Sequence, residues 1–196
     1  MRKRRATVQR TTRETEITVA LTLEGRGRAR ARTGIGFFDH MLEAMAMHGG
    51  FDLDLRCRGD LHVDQHHTVE DCGLVLGQAF AQALGGRRGI ARAGFFLMPM
   101  DEALAMAAVD LGGRACAVAE LRLRAVRIGG FETELIPDFL EGLARGAGAN
   151  LHLRAVAGRS SHHKVEALFK ALGRALAAAC ARSRGRGIIP STKGVL

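Results

Sequence analysis

Two hydrophobic periods run along this chain, and each change from one to the other marks an element. Over residues 51–58 and 150–156 apolar and polar positions alternate, the period of a strand with one buried face. Over residues 37–47, 68–84, 134–144 and 165–181 apolar residues return every three or four positions, the period of an amphipathic helix. Polar stretches at 59–65 and 157–161 separate these elements as loops. The order helix, strand, loop, helix therefore occurs twice. Alternation predicts further strands at 15–23, 105–111 and 115–123.

The two copies align at an offset of 96. His66-His67-x-x-Glu70 falls on His162-His163-x-x-Glu166, and Gly77, Ala79, Ala81 and Ala83 fall on Gly173, Ala175, Ala177 and Ala179. At this His and Glu content one such motif is expected about 0.02 times, so two in register identify a duplication. The predicted fold is α/β of the α+β type, an internally duplicated unit with sheets packed against helices. Its halves are expected at about residues 10–92 and 93–181, with 182–196 as a C-terminal tail. No Pro/Ser-rich linker divides them, so a single unit of residues 1–196 is expected.

Composition narrows the class. With 47% hydrophobic residues and 25% charged, the chain has the means to bury a core, which excludes a disordered polymer. Its uncharged runs fall short of the roughly 20 apolar residues of a membrane span. The basic start leads into Thr, Arg and Glu with no apolar stretch, so no secretory signal is expected and the cytoplasm is the expected compartment. The net charge of +9 raises a nucleic-acid reading, but residues 1–32 carry +7 and residues 182–196 carry +4, leaving the body slightly acidic. Nine Phe without Trp or Tyr supply few stacking surfaces for bases, so no nucleic-acid partner is expected. Cys57, Cys72, Cys116 and Cys180 form no C-x-x-C pair and read as reduced thiols.

The chemistry lies in the doublets. On a helix, His66, His67 and Glu70 can all point toward one side of the first turn. Two neighbouring His nevertheless project about 100° apart, which suits two metal ions better than one. Imidazole and carboxylate without thiolate suit Mn, Fe or Zn, and an octahedral set leans toward Mn or Fe. Asp39 and Asp138, each near a helix start, read as N-caps on residues alone, and His40 is open between ligand and surface histidine. Arg92, Arg114 and the segment Pro190-Ser-Thr-Lys-Gly194 offer phosphate-binding groups, though isolated Arg more often serve as solvated charge. His48, His62 and His152 stand outside the repeat. A di-iron carboxylate protein would need E-x-x-H on core helices, the reverse of the order here. An RNA-binding module would leave both doublets unexplained.

The motifs that carry a resemblance run from about Arg10 to Leu196. They are Arg10-x-Thr12-x-Glu14-Thr15, Thr33-Gly-Ile-Gly-Phe-Phe-Asp-His40-Met-Leu42 and Asp64-Gln-His-His-Thr-Val-Glu-Asp71. They continue with Gly89-Ile90-x-Arg92, Pro99-Met-Asp-Glu-Ala103, Asp110-Leu-Gly-Gly-Arg114, His162-His163-x-x-Glu166-Ala167-x-Phe169-Lys170 and Ile189-Pro-Ser-Thr-Lys-Gly-Val-Leu196. In number and order they resemble the imidazoleglycerol-phosphate dehydratase family. The resemblance implies a carbon-oxygen lyase of histidine biosynthesis that dehydrates D-erythro-imidazoleglycerol phosphate to imidazole acetol phosphate. It implies two Mn2+ per subunit held by His40, His66, His67, Glu70, His162, His163 and Glu166. Asp138 stands where relatives commonly have His and is added as a ligand. Glu14 matches the proton-transfer residue, and His66, Glu70, His162 and Glu166 are assigned to catalysis through the metals. Arg92, Arg114, Lys170, Ser191 and Lys193 match phosphate contacts, with Glu14 and His48 counted in the substrate-binding set. Ala44 and Ser160 depart from the Gln and Asn that relatives often carry. The resemblance further implies a ribosomal-protein-type superfold and self-association into a 24-subunit shell with metals at subunit contacts. No membrane partner and no fused second enzyme are expected.

Overall fold

The computed structural model describes residues 3–183, 188, 190 and 191; the expected Lys193 contact lies outside them. The first half contains β1 (Arg5–Thr11), β2 (Thr15–Thr22), β3 (Ala29–Arg32), α1 (Gly36–Gly49), β4 (Asp52–Gly59) and α2 (His66–Leu84). The second contains β5 (Ala93–Met100), β6 (Ala103–Asp110), β7 (Cys116–Glu120), a small hairpin of β8 (Arg127–Ile128) and β9 (Phe131–Glu132), α3 (Ile136–Ala147), β10 (Asn150–Ala157) and α4 (Ser161–Cys180). The two main sheets have the same order, β1-β2-β4-β3 and β5-β6-β10-β7. In each, the first three neighbours pair antiparallel and the last strand joins parallel. Duplication thus holds at the level of topology.

The helices extend beyond the expected starts. Helix α2 begins at His66 rather than 68, and α4 begins at Ser161 rather than 165, so both His doublets sit in a first turn. In α4 the Ser160 hydroxyl accepts from the His163 N–H, an N-cap worth about 1 kcal/mol, so the residue that departs from the family pattern has a local task. Asp39 and Asp138 are not N-caps: Ile35 and Leu135 occupy those positions. Asp39 instead accepts from the backbone and hydroxyl of Thr33, fixing the loop before α1. A 3-10 turn at Thr133–Leu135 replaces the expected first residues of α3.

Each sheet buries one face under helices, α1 and α2 on the first and α3 and α4 on the second. The helical layers then pack on each other across the halves, α2 on α3 and α1 on α4, so sheet, helices, helices and sheet form one stack around a continuous core. At its centre Phe38 of α1, Phe131 of β9, Phe139 of α3 and Phe169 of α4 form a chain of rings with centroids 5.4–5.6 Å apart. Such aromatic pairs add specific geometry to the burial of area. No helix among the described residues is long and apolar enough to cross a membrane. All four cysteines are free, with Cys72 and Cys180 buried.

Candidate metal and phosphate site

Helices α2 and α4 place the chemistry at two opposite poles. Both start at the pole that carries the His doublets. Within each doublet the two rings stand nearly perpendicular and edge-on, with centroids 6.0 Å apart at 75° for His66 and His67, and 5.9 Å apart at 87° for His162 and His163, and each ring has its own carboxylate partners. The expectation that His66, His67 and Glu70 share one side is therefore corrected, while the division of neighbouring His between two positions holds.

The first ring of each doublet meets the other half. His66 Nδ1 lies 3.7 Å from Asp138 Oδ2 of α3, and its Nε2 lies 3.8 Å from Glu70 Oε2. His162 Nε2 lies 3.1 Å from Glu166 Oε2, which is also 3.8 Å from His40 Nε2 of α1. Asp138 thus occupies on α3 the place His40 occupies on α1. Burial works against the Glu166 carboxylate, but the Lys170 ammonium at 2.8 Å and the His162 ring outweigh it and hold its pKa below the ordinary value. Arg145 binds the Glu70 carboxylate at 2.7 Å.

The second ring of each doublet meets a carboxylate from its own half. His67 Nδ1 is 3.0 Å from Asp60 Oδ2, and its Nε2 faces Glu14 Oε1 at 3.7 Å. His163 Nδ1 is 2.8 Å from Glu102 Oε2, and its Nε2 faces Asp101 Oδ2 at 3.9 Å. The hydrogen bond to Asp60 raises the His67 pKa, and that to Glu102 raises His163. Glu102 is itself held down to about 2 by His163 and the Ser160 N–H. Asp60, Asp101 and Glu102 are absent from the sequence-based candidates. The first hairpin repeats at an offset of 88, β1–β2 onto β5–β6, and that second register puts a carboxylate-bearing turn beside each doublet. Among the described residues no three His, Cys, Asp or Glu side chains of one chain converge to hold a metal ion.

The opposite pole gathers phosphate candidates. Arg92, in the left-handed region at φ 71°, donates from its backbone to Ala179 O near the end of α4. Its guanidinium grips Asp110 at 2.7 and 3.0 Å and donates to Pro190 O at 2.8 Å, which holds the segment carrying Ser191. The turn Leu111–Gly113 before Arg114 packs beside it, and Asn150 donates to the Arg114 carbonyl. Arg87 fastens this corner by donating to Leu111 O, Ala147 O and Gly148 O. Lys170 does not join this group; it lies midway along α4, bound to Glu166. His48 shares that middle ground, its pKa lowered by burial and then by the charges of Lys170 and Arg174.

Comparison with known proteins agrees with this architecture. Residues 33–176 match the family model described as imidazoleglycerol-phosphate dehydratase. A protein of that name from Koribacter versatilis is 55% identical over 98% of this chain and 100% of its own length. One from Lacticaseibacillus casei is 53% identical over 98% and 100%. The IGPD crystal structure from Pyrococcus furiosus superposes with a TM-score of 0.84 at 36% identity, covering 96% of this chain and 100% of that one. The imidazoleglycerol-phosphate dehydratase structure from Staphylococcus aureus gives 0.79 at 31% identity, covering 91% and 99%.

Proposed function

The chain belongs to the imidazoleglycerol-phosphate dehydratase family and is a hydro-lyase of histidine biosynthesis; from that premise we propose how its residues carry the reaction. The substrate is D-erythro-imidazoleglycerol phosphate, dehydrated in the cytoplasm to imidazole acetol phosphate. Two Mn2+ ions per subunit are held by His40, His66, His67, Glu70, His162, His163 and Glu166, with Asp138 taking the place of a histidine. The observation that supports this most is the pair of rings, His67 and His163, whose Nδ1 atoms are engaged by carboxylates so that Nε2 is presented outward. When bound, the ions supply Lewis-acid charge to the substrate's imidazole.

The chain's own groups do the rest. The carbon next to the ring loses hydroxide and the following carbon loses a proton, giving an enol; the enol becomes the ketone when the ring-adjacent carbon gains a proton and the enol O–H gives up its own, which leaves with the hydroxide as water. Glu14, a carboxylate beside His67, accepts the first proton and supplies the second. Arg92, Arg114, Lys170, Ser191 and Lys193 bind the phosphate, with His48 beside Lys170.

These groups cannot all serve one substrate from one chain. Helix α4 has 20 residues and is about 30 Å long at 1.5 Å per residue, with His162 in its first turn and Arg92 bonded near its end. Between its imidazole and its phosphate the substrate spans only on the order of 8 Å. A neighbouring copy therefore brings its Arg92 and Arg114 to this chain's histidines, in a self-associated assembly that family resemblance puts at 24 chains.

Metal-stripped protein given Mn2+ is expected to regain turnover of imidazoleglycerol phosphate at about two ions per chain. Stoichiometric binding without turnover would count against the assigned reaction, and failure to bind would remove the ligand set. Asp60→Ala is expected to weaken Mn2+ binding by about 10- to 100-fold, since the His67 ring loses the partner that orients it. Unchanged affinity by isothermal titration would show that Asp60 has no such part.

A further inference from the structure

Asp71 follows Glu70 on α2 and turns inward, its side chain only 10% exposed. One oxygen, Oδ2, accepts from Arg10 Nη1 at 2.5 Å and from the buried Thr15 hydroxyl at 2.6 Å. Arg10 lies near the end of β1 and Thr15 begins β2, so the two donors flank the turn whose tip is Glu14. The turn is closed from within: the N–H groups of Glu14 and Thr15 both donate to Thr12 Oγ1, and Thr12 N–H donates to Thr15 O. On its other side the Glu14 carbonyl accepts from Asp60 N–H at 3.0 Å, and Asp60 holds His67.

We propose that Asp71, clamping Arg10 and Thr15, is the positioning residue that fixes Glu14 relative to the helix carrying His66 and His67. This rests on the proton-transfer role given to Glu14 above. The internal repeat supplies the strongest argument. At an offset of 96 Asp71 corresponds to Ala167, and at the hairpin offset of 88 Arg10 and Thr15 correspond to Met98 and Ala103. The second half therefore builds the same strand-turn-strand against the equivalent helix, α4, without any of the three polar groups. A buried ionic contact that apolar residues replace in an equivalent setting is not required for folding. It is present only in the half whose turn carries Glu14. In the other half Glu102 reaches His163 directly.

The test copies the second half into the first, as Arg10→Met, Thr15→Ala and Asp71→Ala together, and places the same change in a Glu14→Gln background. In the parental background kcat is expected to fall about 10- to 100-fold, the cost of a misplacement of about 1 Å, with KM and bound Mn2+ nearly unchanged. In the Glu14→Gln background the change is expected to cost nothing further, because a positioning residue acts only through the group it positions. An equal loss in both backgrounds, or no loss in the parental one, would overturn the proposal while leaving Glu14 in its role. Glu14→Gln as active as the parent would instead overturn that role and the clamp with it. Should the triple change prevent folding, Thr15→Val removes one donor alone, and the same non-additivity with Glu14→Gln is expected.

Discussion

His162→Ala and Arg114→Ala chains, each nearly inactive alone, are expected to regain about a quarter of parental activity when refolded together in equal amounts. The first change removes a proposed metal ligand, and loss of the several kcal/mol a metal site contributes corresponds to about 10^3-fold or more. The second removes an exposed guanidinium at the other pole, worth about 10- to 100-fold as a charge-assisted phosphate contact. If a site takes its histidines from one chain and its arginine from another, random mixing leaves one site in about four with both groups intact. If one chain supplied both groups, every site would lack one, and the mixture would be no more active than the average of its parents. The length of α4 makes the second outcome incompatible with a substrate whose ring and phosphate are joined by three carbons. The assay is kcat/KM after co-refolding, with each variant refolded alone as reference.

That separation was not legible in the residues, and the reason is geometric. His162 and Lys170 are eight apart on one helix and both contact Glu166 between them, so their proximity follows from spacing. Arg92 precedes His162 by seventy positions, and nothing in spacing says that β5 starts beside the end of α4. The offset of 96, by contrast, was readable because it repeats a rare motif. Helices α1 to α4 and strands β2, β4, β6, β7 and β10 follow from periodicity. Strands β1 and β3 do not: RATVQRT starts on an outward Arg5 and carries Arg10 on the face of Ala6 and Val8, and ARAR turns both arginines outward, so they read as a basic arm. Strand β5 reads as a continuous apolar run because its outer face carries Phe95 and Leu97, both exposed. The second hairpin register was hidden for the same cause, and with it Asp101 and Glu102. A carboxylate that fixes a histidine from a turn has no spacing rule, since its distance in sequence is set by the turn: seven residues for Asp60 and sixty-one for Glu102.

The other large effect is expected at a residue that touches no substrate. Gly146→Val should yield insoluble protein, and Gly146→Ala should lower the melting temperature by about 2–8 °C. Helices α2 and α3 meet backbone to backbone through Gly73 and Gly77 on one side and Gly142 and Gly146 on the other. A Cβ at Gly146 would stand 2.1 Å from Leu74 O and 2.8 Å from Gln78 N, and one at Gly77 would stand 2.4 Å from Leu143 O. Those are main-chain atoms inside helices, so relief requires the helices to part. Ala favours a helix over Gly by about 1 kcal/mol, but overpacking costs about 1–3 kcal/mol or more, so the clash outweighs the gain in helix propensity. Gly36 on α1 is the control, because a Cβ there meets nothing within 4 Å, and Gly36→Ala should leave the melting temperature unchanged or raise it. Parting α2 from α3 also draws Asp138 away from His66, so Gly146→Ala should weaken metal binding as well as stability. An unchanged melting temperature would mean that the helices separate at no cost, and the close glycine contact would then have no part in holding the two halves in register.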